Sequence, residues 1–410
     1  MPSVCFYFQV HQPMRLKPFT FFQVGRDHSY FDEKLNREVM QKVSSKCYIP
    51  TNKLMLDLIR RHNGAFRVAY SITGVAIEQM LKYAPEALES FIDLSKTGCV
   101  EFLAETYYHS LSSITDPLEF RQQVKMHSAL MEKFFGQRPS VFRNTELIYN
   151  DQIGDLVAAM GYKAIIAEGA DDILQWRSPH FVYRKPGCDL RLLLKSYRLS
   201  DDVAFRFSDK SWSEHPLTAT KFAKWVHAIS GNGETLNLFM DYETFGEHQW
   251  SSSGIFEFLN ALPSEILKYG DWNFLTPSQV IERYQPVAEL NFPRLVSWAD
   301  VDRDITAWHG NKMQKSSLAQ IYSLGKDVRK RNNPSTSDFW RRLQTSDHFY
   351  YMCTKWFADG DVHAYFNPYK SPYEAFINYM NVLTDFREYV LGITASDSPT
   401  AIPMTIRTSA

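Results

Sequence analysis

Residues 141–168 read VFRNTELIYNDQIGDLVAAMGYKAIIAE. A short apolar run, Val141–Thr145, leads into an amphipathic one, Asp151–Met160, and then into a second apolar run, Lys163–Glu168. Gly161 stands between the last two, at the position where a helix C-cap turns into left-handed backbone. Apolar runs without polar alternation suit strands covered on both faces of a parallel sheet. The stretch therefore reads as one β–α–β unit.

The same rhythm extends in both directions. Further strand candidates are Val4–Val10, Phe66–Thr73, Val100–Glu105, Arg191–Tyr197 and Leu236–Tyr242. Helix candidates are Thr51–His62, Pro85–Lys96 and Pro117–Phe135, each opening at or just after a proline, which the first helical turn tolerates. Seven strands in about 240 residues fit a closed or nearly closed α/β barrel. The segment Met14–Ile49 reads as a long irregular loop, of the kind that forms a lid. After Pro293 the strands cease, and Lys312–Arg331, Asp338–Ala358 and Ser371–Val390 read as three helices. The expected organisation is a barrel over 1–293, a helical bundle completing the cleft over 294–395, and a polar tail over 396–410.

Composition narrows the function. Among 410 residues, 45 are Lys or Arg and 46 are Asp or Glu, a net charge of -1 that argues against nucleic acid and polybasic membrane contact. The five cysteines, Cys5, Cys47, Cys99, Cys188 and Cys353, form no CxxC pair, so neither a disulfide framework nor a zinc knuckle is expected. With no basic, apolar leader at the start, a cytoplasmic location is the expectation. There is no GxSxG elbow, GxGxxG loop or P-loop, and no HxH or HxxxH pair at a strand end. No cofactor and no metal are expected, and a metal-dependent carbohydrate hydrolase is the weaker rival.

The chemistry sits where the strands end, because the loops of a parallel barrel converge on one face. After the first strand comes His11-Gln12-Pro13, and the third carries Glu101 and Glu105 with His109 beyond. The fourth ends in Arg143-Asn144-Thr145-Glu146, the fifth at Glu168, and the last at Asp241, followed by Glu243, Glu247, His248 and Trp250. Trp298, Asp300, Asp304 and Trp308 follow later. Carboxylates interleaved with Trp, Tyr and His are what cleavage of a glycosidic bond needs. One acid protonates the leaving oxygen, a second carboxylate attacks or stabilises the anomeric carbon, and aromatic faces stack on sugar rings. Arg143 stands three positions before Glu146, where it could help keep that carboxylate ionised. Strand alternation puts Glu243 on the face of Asp241, so the residues alone leave two candidates for the acid.

These motifs resemble glycoside hydrolase family 57. Its five short motifs appear in order as His11-Gln12-Pro13, Gly98-Cys99-Val100-Glu101, Phe142-Arg143-Asn144-Thr145-Glu146-Leu147, Met240-Asp241-Tyr242-Glu243-Thr244-Phe245-Gly246-Glu247-His248, and Trp298-Ala299-Asp300 with Asp304, Trp308 and Asn311. The resemblance implies a (β/α)7 barrel followed by a helical region, and a retaining mechanism on α-1,4-glucans. It assigns Glu146 as nucleophile and Asp241 as general acid/base. For retention the two carboxyl groups should lie about 5–5.5 Å apart. The substrate-binding candidates are His11, Glu101, Trp250, Trp298, Asp300, Asp304 and Trp308. An α-amylase is the expected activity, with 4-α-glucanotransferase and non-catalytic glucan binding as alternatives.

Overall fold

The computed structural model describes residues 1–355 and 367–392. The end of the expected helix Asp338–Ala358 and the tail over 396–410 fall outside the described residues. Seven strands lie at the seven places where the sequence predicts them: β1 (Ser3–Val10), β2 (Val68–Ile72), β3 (Val100–Phe102), β4 (Val141–Arg143), β5 (Ala164–Glu168), β6 (Arg191–Lys195) and β7 (Thr235–Asp241). They form two parallel sheets, one ordered β3-β2-β1-β7 and the other β4-β5-β6. The two-residue strand Tyr183–Arg184 runs antiparallel on β6.

The sheets meet at both edges. Ala104, just past β3, bridges Phe142 of β4 in parallel register. Across the other seam the Ser196 amide donates to the Asn237 carbonyl at 2.9 Å, and the Asn237 side chain donates to the Leu194 carbonyl at 2.9 Å. The chain is an α/β fold in which seven parallel strands run round a common interior, a distorted barrel.

Alternation along the strands builds the interior. On β1, Val4, Phe6, Phe8 and Val10 face the outer helices, whereas Cys5 and Tyr7 join the inner cluster with Ala69, Leu103, Val141, Ile166, Leu193 and Phe239. Continuing that inward register towards the C-terminal ends brings in Gln9, Arg143, Glu168, Lys195 and Asp241. The apolar interior thus gives way to a polar layer at the end where barrels carry their chemistry.

Three segments differ from expectation. The stretch over 14–49 is only partly irregular, because Glu33–Val43 is a helix that continues through a π-helical turn, Ser44–Tyr48, into Ile49–Arg61. A further helix, Gly74–Tyr83, follows β2 directly. Its first residue must be glycine, since a Cβ there would lie 2.4 Å from the Tyr107 ring. The long predicted helices after 293 are broken, into Lys312–Ser323 and Gly325–Arg331, and into Pro334–Arg342 and Ser346–Tyr350; the last is Pro372–Leu391. Among the described residues no helix is long and apolar enough to cross a membrane.

Candidate active site

Glu146 follows β4 within a 3-10 turn, at φ 58°, in the left-handed region that costs a non-glycine residue energy. The surroundings hold it there. Leu147 donates to the Asn144 carbonyl, Asn144 Nδ2 donates to the Ile148 carbonyl at 2.7 Å, and Tyr149 pairs with Val296 in an antiparallel bridge. That bridge carries the loop after 293 across the barrel mouth, so that the Trp298 amide reaches the Glu146 carbonyl at 3.3 Å.

The Glu146 carboxylate accepts from three directions. His109 Nε2 lies 3.1 Å and Ser346 Oγ 3.2 Å from Oε1, and Trp298 Nε1 lies 2.8 Å from Oε2. Donors aimed at both oxygens fix the carboxylate in place.

Behind it the charges alternate. His109 Nδ1 faces Glu105 Oε2 at 3.3 Å, and Arg143 Nη1 lies 3.7 Å from the same oxygen. Burial raises the Glu105 carboxyl, but the His109 hydrogen bond and the Arg143 charge outweigh it and bring it down to about 2. Burial lowers His109, and hydrogen bonds to Glu105 and Glu146 more than reverse that, so its imidazole is raised above its ordinary value. Arg143 therefore acts on Glu105 and His109, one step back from the role expected of it beside Glu146. Its guanidinium also lies 5.1 Å from the centroid of the Trp298 ring, with Lys195 Nζ at 5.6 Å.

His11 stacks on His109 with ring centroids 4.0 Å apart. Its nitrogens bond Thr73 Oγ1 at 2.9 Å and Asp347 Oδ2 at 3.0 Å. Burial and the neighbouring His109 bring it down to about 4, so the two stacked rings are shifted in opposite directions. The cleft above these groups is lined by Gln9, His11, Gln12, Pro13, Arg15, His109, Glu146, Asp241, Glu243, His248, Trp298, Asp347 and Tyr351. Among the described residues no group of three or more His, Cys, Asp or Glu side chains is arranged to hold a metal ion.

Glu146 and Asp241, the latter at the end of β7, thus line one cleft together with Trp298 and Tyr351. The family model for glycosyl hydrolase family 57 matches residues 5–293. The chain belongs to glycosyl hydrolase family 57. A Methanocaldococcus jannaschii protein named "Putative alpha-amylase" is 44% identical over 405 residues, covering 96% of this chain and 85% of that one. Among solved structures, a family 57 branching enzyme of Thermococcus kodakaraensis matches with TM-score 0.65 at 13% identity, over 86% of each chain. A 4-α-glucanotransferase of Thermococcus litoralis matches with TM-score 0.59 at 14% identity, over 85% of this chain and 54% of that one. At such identities the two structures speak for the shared fold, and the family places the chain among amylase-like glycoside hydrolases.

Of the residues expected in the family 57 site, Glu146, Asp241, His11 and Trp298 come together in the cleft. The others do not. Glu101 points towards the N-terminal end of the barrel, where its carboxylate accepts from the Ser278 amide and hydroxyl, both at 2.9 Å, and anchors the start of helix Pro277–Arg283. Trp308 is fully buried, its ring 6.2 Å from that of Tyr350, and offers no face to a sugar. Trp250 is 60% exposed and lies outside the cleft lining. Asp300 pairs with Lys355 at 3.0 Å, and Asp304 accepts from the Thr306 amide at 2.8 Å, opening the short helix Thr306–His309. These five therefore do not line the cleft that holds Glu146 and Asp241.

Ser346, Asp347 and Tyr351 were not foreseen. They come from helix Ser346–Tyr350 and its end, far along the chain, where the sequence TSDHFYY carries no motif. Gln9 could have been found, since β1 alternation places it inward two residues beyond Tyr7.

Proposed function

We propose that this family 57 enzyme is a retaining glycoside hydrolase acting on α-1,4-linked glucans. Glu146 is the nucleophile and Asp241 the general acid/base. The observation that carries the reading is the carboxylate of Glu146, held by His109, Ser346 and Trp298 at the base of a cleft that Asp241 also lines. Asp241 gives its proton to the glycosidic oxygen as Glu146 bonds to the anomeric carbon. Asp241 then takes a proton from the attacking water, and the glycosyl–Glu146 bond breaks. The relatives named as amylase, branching enzyme and glucanotransferase support an α-glucan as the substrate class.

The test is a product analysis on maltoheptaose, with Glu146→Gln in parallel. The expected result is shorter oligosaccharides with new reducing ends that keep the α-configuration, and no products from the variant. A ladder of shorter and longer chains at constant reducing ends would replace hydrolysis by 4-α-glucanotransfer on the same two carboxylates. Binding of maltoheptaose without products from the wild type would overturn the catalytic reading.

A further inference from the structure

Glu243 lies two positions beyond Asp241 and lines the same cleft, yet the mechanism above leaves it without a task. It is 4% exposed. Its Oε1 accepts from the Tyr48 hydroxyl and from Gln12 Nε2 at 3.4 Å. Tyr48 arrives from the π-helical turn, and Gln12 from the segment after β1, where Arg15 Nη2 holds its amide oxygen at 3.0 Å. Two elements from different parts of the chain thus grip one buried carboxyl beside the acid.

We propose that Glu243 is the positioning residue that makes Asp241 an acid: the two carboxyls share one proton in the free enzyme, and the negative charge of the pair keeps that proton on hand. The proposal rests on the assignment of Asp241 made above. An ordinary aspartate has a pKa of about 4 and would be ionised near neutral pH, useless for protonating a leaving group. Burial and a like-charged neighbour are the two environments that reverse this, and Glu243 supplies the second. The effect is mutual, since burial and the Asp241 carboxylate push Glu243 up to about 8. Carboxyls coupled in this way titrate as a pair.

The charge of Glu146, which lines the same cleft, adds to that of Glu243, and the Glu243 variants separate the two contributions. Tyr48 and Cys47 are both buried, and burial pushes each acid far up, so they stay neutral. Gln12 is neutral and is tied to Arg15. In its own loop, Glu247 pairs with Lys42 at 2.5 Å, and His248 lines the cleft wall.

The proton balance then serves both halves of the reaction. Asp241 hands the shared proton to the glycosidic oxygen, which keeps the electron pair of the breaking bond while Glu146 forms the new one. The pair is left fully ionised, and its doubled charge makes Asp241 a stronger base. It recovers one proton from the water whose oxygen displaces Glu146.

The test compares wild type with Glu243→Gln, Glu243→Asp and Tyr48→Phe. Two readouts are taken: the pH profile of kcat/KM on maltoheptaose, and the 13C titration of the Asp241 carboxyl, assigned through Asp241→Asn. In Glu243→Gln the alkaline limb and the Asp241 titration should both move to lower pH by about one unit or more, because the neighbouring charge is gone. Glu243→Asp should restore most of the shift. Tyr48→Phe weakens the anion of Glu243 and should move both in the same direction by less, which keeps the test open if Glu243→Gln fails to fold. An unmoved limb and titration, or a loss confined to KM, would overturn the proposal. If wild type leaves maltoheptaose intact, the glucan reading falls, and the carboxyl titration alone decides this one.

Discussion

His109 holds two carboxylates at once, Glu146 through Nε2 and Glu105 through Nδ1, and that doubling makes its replacement informative. A ring bonded at both nitrogens fixes Glu146 relative to Glu105. Replacing His109 by Asn should lower kcat on maltoheptaose about 10²- to 10³-fold, the loss typical of one fixed hydrogen-bond donor at a reacting centre, with KM little changed. The same pair sets a pH dependence of folding. Glu105 is depressed to about 2 in the folded chain, so its contribution to stability is fully present above the ordinary carboxyl value and is lost as pH falls towards 2. The displacement corresponds to roughly 3 kcal/mol. His109 is raised, so its contribution is fully present below its ordinary value and is lost as pH rises through the folded one. Urea unfolding of wild type against Glu105→Gln should show the gap closing between pH 5 and pH 2, and an unchanged gap would deny the pairing. Glu105 and His109 were legible only as acids and a histidine near a strand end. Nothing in the spacing of i and i+4 residues in a loop announces that both nitrogens of one ring will be used.

At the level of elements, the strands were legible because burial on both faces forbids polar residues there, and a run such as Leu236–Met240, broken by Asn237 alone, suits little besides a doubly covered strand. Helix Gly74–Tyr83 was hidden because β2 runs into it with a single residue, Thr73, between the two elements. The signal was Thr73, which ends the strand and caps the helix by accepting from the Ala76 amide at 3.3 Å. Its hydroxyl also meets His11 Nδ1, so one side chain starts an element and aims a cleft residue. Thr73→Val keeps the shape and removes both bonds. It should cost about 0.5–2 kcal/mol in urea unfolding and reduce turnover, while Thr73→Ser retains both. Equal losses in Val and Ser would mean that packing of the methyl group, and not the hydroxyl, is what matters.

At the scale of the whole molecule, the barrel and the later helices share an apolar cluster. The sequence marks a boundary near Pro293 because strands give way to helices, and secondary-structure pattern says nothing about which cores merge. In the fold, Phe142, Ile165 and Leu192 from the outer faces of β4–β6 pack in one apolar cluster with Trp308, Trp340, Tyr379 and Phe386 from the later helices. Those helices also supply Ser346 to Glu146 and Asp347 to His11. A chain ended after residue 293 would keep the residues matched by the family model and both proposed catalytic carboxylates. It would also leave the outer faces of three strands uncovered, and an exposed apolar surface of that kind drives association. We therefore expect the fragment to aggregate or to bind a hydrophobic dye, and to lack turnover on maltoheptaose. The full chain should lose fluorescence and secondary structure in one coincident transition. A monomeric fragment that unfolds cooperatively would show instead that the barrel is a separate domain. Its activity would then hinge on whether Glu146, with Ser346 and Trp298 gone, is still oriented by His109 alone.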